Sequence, residues 1–167
     1  MQNNLELWGK VEKTEVTLIK EVKQEGRTLK TIAPINRTKR ATEIFGIYGK
    51  DWGLKQIKHN EKTIFSSLVI GTVDAVFFYT INDAKIEFEI SNSISIVSQV
   101  EGKLKVNITY RKAIETDTIN KALSRLGFNA DLYTDGELLE GENVVNEFDE
   151  LDLIQIIKDA DKGVKND

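Results

Sequence analysis

Between Lys85 and Val97 the even positions Ile86, Phe88, Ile90, Ile94 and Ile96 are apolar, while Lys85, Glu87, Glu89, Ser91, Ser93 and Ser95 are polar; Asn92 alone breaks the apolar series. A period of two predicts a strand with one packed face and one wet face. The run from Thr63 to Thr80, rich in Val, Ile and Phe, predicts its partner, joined through Ile81, Asn82 and Asp83, residues suited to a hairpin turn. Gly102 marks a second turn, after which Leu104, Val106, Ile108 and Tyr110 alternate with Lys103, Lys105, Asn107 and Thr109, predicting a strand with a basic outer face. Two segments follow a helical period instead. Pro34 stands where a first helical turn tolerates it, and Ile35, Thr38, Ala41, Ile44 and Phe45 form one stripe that Gly46 stops. Residues 111–127 carry Ile119, Ala122, Leu123 and Leu126 on one side, with Gly127 where a left-handed cap belongs. Leu5, Trp8 and Val11 predict a short opening helix over Leu5–Lys13, and Thr14–Thr31 reads as an irregular or hairpin segment. The expected fold is α+β: an antiparallel β-meander packed against helices.

Charge divides the chain. Of its 23 Lys+Arg and 27 Asp+Glu, residues 135–167 hold 3 and 11, a net −8, which leaves residues 1–134 at +4. The whole-chain value of −4 therefore describes neither part, and because charges act over only about 8 Å at physiological salt, the body is free to bind an anion. We divide the chain into a domain over residues 1–133 and an acidic linker and tail over 134–167, where Val145, Phe148, Leu151, Ile154 and Ile157 predict an acidic amphipathic helix.

The 167 residues contain no Cys and one His, so disulfide scaffolds and cysteine zinc sites are out. No window approaches the roughly 18 apolar residues of a membrane span, and the N-terminus lacks a signal-peptide pattern, so a cytoplasmic location without membrane contact is expected. Gly46–Gly53, GIYGKDWG, invites a phosphate-loop reading, but a Walker loop needs four residues before its Gly-Lys pair and a hydroxyl after it; here only Ile47 and Tyr48 intervene before Gly49, and Asp51 follows Lys50. A glycine-bearing turn with Trp52 packed beneath it is the simpler reading. His59, in a polar stretch, reads as a solvated strand end. Asp74 interrupts an apolar run, and Glu87 and Glu89 share one strand face; an enzyme would require these carboxylates to recruit a metal. The expectation is a non-enzyme with no catalytic residue, no cofactor and no metal.

What remains is phosphate-binding capacity. Arg37, Lys39 and Arg40 sit on the first long helix, Lys103 and Lys105 on the basic strand, and Arg111, Lys112, Lys121 and Arg125 on the second long helix. Lysine and arginine on a common surface suffice to hold phosphates in a salt-dependent way. Lys39 or Arg40 could instead pair with Glu43 along the helix. Phe45, Trp52, Phe77 and Phe88 read as core, and Tyr48 and Tyr133 as the better base-stacking candidates.

Two stretches, INRTKRATEIFGIYGKDWGLK from Ile35 and RKAIETDTINKALSRLGFNADLY from Arg111, resemble the phage single-strand annealing proteins of the Rad-fifty-two-like superfamily. That family has a helix ending in a pattern like N-E-x-F-G before a G-W turn, here Thr42-Glu43-Ile44-Phe45-Gly46 and then Trp52. It has a second helix like T-D-x-x-x-x-A-L-x-x-x-G, here Thr116-Asp117, Ala122-Leu123 and Gly127. The resemblance covers roughly residues 3–133. It implies an ATP-independent homo-oligomer, a ring or filament, that binds single-stranded DNA and anneals complementary strands in phage recombination and repair. Basic residues of both helices are then expected near the DNA groove. The family's usual arginine aligns with Asn36, one place from Arg37. Lys121 falls on a basic family position, while Asn120 and Ser124 stand where eukaryotic members often carry Lys or Arg, with Arg111, Lys112 and Arg125 as substitutes. Alternatives are a module that coats single strands or loads a recombinase without annealing, and a protein-interaction domain whose acidic tail docks a host or phage replication or recombination protein.

Overall fold

The structure, a computed structural model, describes residues 5–24, 27–65, 68–100 and 103–134. Four strands, β3 (Trp52–Phe65), β4 (Leu68–Ile81), β5 (Ala84–Val100) and β6 (Lys103–Val106), form an antiparallel, curled sheet in chain order. Ahead of it α1 (Glu6–Val11) leads through a 3-10 turn into a separate hairpin, β1 (Ile19–Gln24) with β2 (Arg27–Ile32), and then into α2 (Pro34–Phe45). After the sheet come α3 (Tyr110–Arg125) and the short α4 (Asp131–Thr134). The molecule is α+β, with α3 packed along β4 and β5. No helix among the described residues is long and apolar enough to cross a membrane.

The meander is built as its alternation dictates. Asn82 and Asp83 both adopt positive φ, 50° and 62°, between Ile81 and Ala84, which is the two-residue turn whose twist matches the flanking strands. Along β4 the odd positions Val73, Ala75, Phe77 and Tyr79 are buried, and Ile90 and Ile94 of β5 join them. Ile114, Thr118, Ala122 and Leu123 of α3 are the buried side of that helix. Thr118 satisfies its buried hydroxyl by donating to the Ile114 carbonyl at 2.6 Å.

One end of the sheet carries most of the aromatic mass. Phe45 lies 4.8 Å from the Tyr79 ring, 5.6 Å from Phe128 and 6.3 Å from Trp52, centroid to centroid. Each such ring taken fully from water contributes about 2–3 kcal/mol. The Trp52 indole donates to the Gly46 carbonyl at 3.1 Å, closing the turn between α2 and β3 over its own packed ring. Gly46 takes φ 103° as the C-cap of α2, a conformation that suits glycine.

Three local expectations shift. The run from Thr63 is divided, since β3 extends to Phe65 and β4 opens at Leu68. On α2 the buried residues are Arg37, Ala41 and Phe45, whereas Ile35 is exposed: the helix meets α3 along a face rotated from its apolar stripe. His59 is not a solvated strand end; only 16% of its side chain is exposed, and Nε2 lies 2.9 Å from Glu115 Oε1 of α3. Its position opposite Val73 aims it at that helix. The Gly102 turn and the acidic segment from 135 onward lie outside the described residues.

Candidate nucleic-acid interface

The nine cations singled out in the sequence meet different fates. Arg37 is 8% exposed, and its Nη1 donates to Ser124 Oγ at 3.3 Å, so this guanidinium ties α2 to α3. Arg40 hydrogen-bonds Glu43 at 3.1 Å and donates through Nη2 to the Lys10 carbonyl at 2.9 Å, pinning α1 onto α2. Of the two pairings open to Glu43, the one three residues apart is formed. Lys39 stays exposed with no ion pair among the described residues.

At the entry to α3 the chain concentrates charge. The backbone N–H of Asn107 donates to the Ile96 carbonyl at 2.7 Å, and its side-chain oxygen accepts from the Thr109 amide and hydroxyl at 3.2 Å each. This clasp joins β6 directly to α3. Lys103 and Lys105 on β6 and Lys112 in the first turn of α3 are exposed and make no ion pair among the described residues. Arg111 beside them is committed, with Nε donating to the Tyr110 hydroxyl at 2.9 Å and Nη2 standing 3.5 Å from Glu61. The Tyr110 hydroxyl donates to the same Glu61 carboxylate, and this bond, with Arg111 adding to it, holds the Glu61 carboxyl below its ordinary range. Lys121 is half-buried and engaged by a neighbour.

Arg125, exposed in the last turn of α3, borders a cleft of about 480 Å³ at the middle of the sheet. There β3 bulges: Lys55 pairs with Val76 and Lys58 with Asp74, so two residues of β3 oppose one of β4. Gln56, in the bulge, takes φ 54°, a rare conformation for a residue with a side chain. Gln56, Lys58, Asp74, Glu89 and Ser91 line the cleft with Arg125, over aliphatic Ala75, Val76 and Ile90. Sequence reasoning singles out Asp74 as the odd carboxylate in an apolar run and misses Lys58, because nothing in the residue order announces the bulge.

Elsewhere on the sheet, unlike charges neutralise one another. Lys55 and Lys85 both approach Glu87, at 2.5 and 3.4 Å, and both stand over the Phe78 ring. The Lys55 hydrogen bond, then Lys85, holds Glu87 below the usual carboxyl range. Of the two tyrosines proposed for stacking, Tyr48 is 48% exposed and presents an edge-on ring to Trp52 at 4.9 Å; partial burial, then the Glu115 charge, raises its hydroxyl above the ordinary range. The Tyr133 side chain lies outside the described residues.

The structure therefore leaves Lys103 and Lys105 on β6, Lys112 in the first turn of α3, and Lys39 and Arg125 on their helices exposed, and assigns Arg37, Arg40 and Arg111 to holding the fold. No protein-family model matches the chain, and no curated protein matches it in sequence.

Proposed function

We propose that the chain is a single-strand annealing protein of the Rad-fifty-two-like superfamily, an ATP-independent homo-oligomer that binds single-stranded DNA and promotes pairing of complementary strands. The observation that supports this reading is the convergence of the two family-like segments. Phe45 and Trp52 from the first, and Ala122, Leu123 and Phe128 from the second, belong to one buried cluster at one end of the meander. Segments far apart in the chain thus share one core, as parts of a single motif-bearing domain would.

Annealing asks little covalent chemistry of a protein. Phosphate repulsion must be screened and two strands held long enough to align, and exposed lysines do the first by releasing counterions. On this reading Lys103, Lys105 and Lys112 supply exposed cations for the backbone of the strand, with Lys39 and Arg125 as further phosphate contacts. The basic body keeps this capacity in spite of the acidic tail.

The test mixes complementary oligonucleotides with and without the protein, without nucleotide or metal. Faster duplex formation that weakens as salt rises is expected. Unchanged pairing and no retained single strand at low salt overturn the reading. Retention without acceleration by a monomer favours a strand-coating or loading module instead.

A further inference from the structure

We infer that the Phe78 ring, on the face of the sheet turned away from α3, is a stacking site for an unpaired nucleobase, covered by Lys55 and Lys85 until a strand binds; this rests on the DNA-binding reading above and adds to it a contact with the bases.

Phe78 is only 6% exposed, yet among the described residues it belongs to neither buried apolar cluster. Its chain neighbours Phe77 and Tyr79 point into the cluster that Ala122 and Leu123 of α3 complete, so strand alternation turns Phe78 to the opposite face. Direct cross-strand partners share a face. The register sets Gly53 of β3 and Glu87 of β5 on either side of Phe78, with Lys55 opposite Val76 and Lys85 opposite Thr80, the neighbours of Phe78 on its own face of β4. The contacts agree with the register: the ammonium groups of Lys55 and Lys85 stand 6.0 and 5.1 Å from the ring centroid, and 2.5 and 3.4 Å from the Glu87 carboxylate. The ring is thus kept from water by two flexible lysines and not by packed core, and Gly53 brings no side chain to its β3 side.

A cover of this kind gives way readily. A surface ion pair and a cation over an exposed ring are each weak and screened by salt, whereas a base laid on an aromatic face gains more. A nucleotide unit replaces both contacts at once. Its base takes the place of the ammonium groups over the ring, and its phosphate takes the place of Glu87 as their partner. The same exchange narrows the ligand. A protein's aromatic side chain would cover the ring but offer the displaced lysines nothing, and free phosphate would take the lysines but leave the ring bare. A base inside a duplex has both faces covered by its neighbours, so the guest is an unpaired one. Every base has a π-face, so a site of this kind holds a strand without selecting its sequence.

The test compares the affinity of the full chain for oligo-dT and for an abasic strand of equal length at one salt concentration. The phosphates are the same, so a difference reports the bases. Tighter binding of oligo-dT, by about ten-fold as expected for a stacked base, supports the inference. In Phe78→Leu, which keeps an apolar side chain but has no ring, oligo-dT should fall to within about two-fold of the abasic strand, with abasic binding unchanged, and Phe78→Tyr should restore the difference. A purely structural role for Phe78 would weaken both strands together. Should Phe78→Leu misfold, the native protein irradiated with a strand carrying 5-iodouracil should crosslink at Phe78. Equal affinities in the native protein, a base dependence undiminished in folded Phe78→Leu, both strands weakened alike, or crosslinks only elsewhere overturn the site while leaving the DNA reading in place. Binding of neither strand overturns the DNA reading itself, and the stacking site with it.

Discussion

The two ends of the sheet are built on different terms. At one, Trp52, Phe77, Tyr79, Phe45, Leu123 and Phe128 are buried together, and the nearby cations Arg37 and Arg40 are spent on Ser124, Glu43 and a main-chain carbonyl. At the other, all four residues of β6 are exposed, Leu104 and Val106 among them, and Lys103 and Lys105 make no ion pair among the described residues. The same residue types therefore do opposite work in the two places: a cation in the aromatic end fastens helices, and a cation at the β6 end is left to the solvent and whatever binds there. Stability drawn from one end frees the other from having to be well packed, since local opening free energies follow local burial.

Substitutions break or sharpen that contrast in a graded series. Trp52→Ala should be the most damaging, costing about 3–5 kcal/mol for a buried aromatic removed with its cavity, read as a fall in denaturation midpoint. Gly127→Ala comes next: Gly127 has φ 91°, and a Cβ there would stand 2.5 Å from the Trp8 ring, so a loss of about 1–3 kcal/mol is expected from backbone strain and overpacking. Arg37→Ala should cost about 1–2 kcal/mol by removing the bond to Ser124 and the packed stem. Its effect on DNA binding should follow its effect on folding; a sharp loss of binding at unchanged stability would put Arg37 with the exposed cations after all. Replacing Lys103, Lys105 and Lys112 together by Ala should move stability by less than about 0.5 kcal/mol per site, while the slope of log affinity against log salt flattens by about 0.7 for each phosphate no longer neutralised. Acid gives the smallest effect. Glu61 and Glu87 ionise more readily in the folded protein than the usual 4.5, so what they add to stability is present above that pH and is lost as pH falls below it. Both are solvent-facing, so a modest drop in melting temperature between pH 5 and pH 3 in about 0.1 M salt is expected, smaller in Glu87→Gln.

How much of this is legible in the residue order depends on whether a residue answers to its own neighbours or to distant ones. The alternation in β5, the turn at Asn82 and Asp83, the cap at Gly127 and the burial of Phe45, Trp52 and Phe77 are local or nearly so, and the residue order announces them. The hairpin of β1 and β2 is only half visible there, because its mixed charges carry no clear period. The fate of the arginines is not visible at all. Arg37 is buried because α2 meets α3 along Ala41 and Phe45 and not along Ile35, and helix rotation is settled by the partner surface. The lysines of β6 can be named from their alternation, but Lys58 and its cleft require the bulge at Gln56, which only tertiary pairing creates. The family-like motifs sit at the aromatic end, where they specify packing; the open cations of β6 lie outside them.

The two tryptophans divide the molecule spectroscopically. Trp52 has no exposed surface, whereas Trp8 is 38% exposed and lies against Gly127. A polar quencher added to the folded protein should reach Trp8 and spare Trp52, so emission separates into an accessible fraction that senses the N-terminal helix on the end of α3 and a protected, blue-shifted fraction that senses the core. Strand binding at the β6 end should leave the protected fraction silent, and loosening of the aromatic end should reveal it, which gives each half of the molecule its own optical signal without a label.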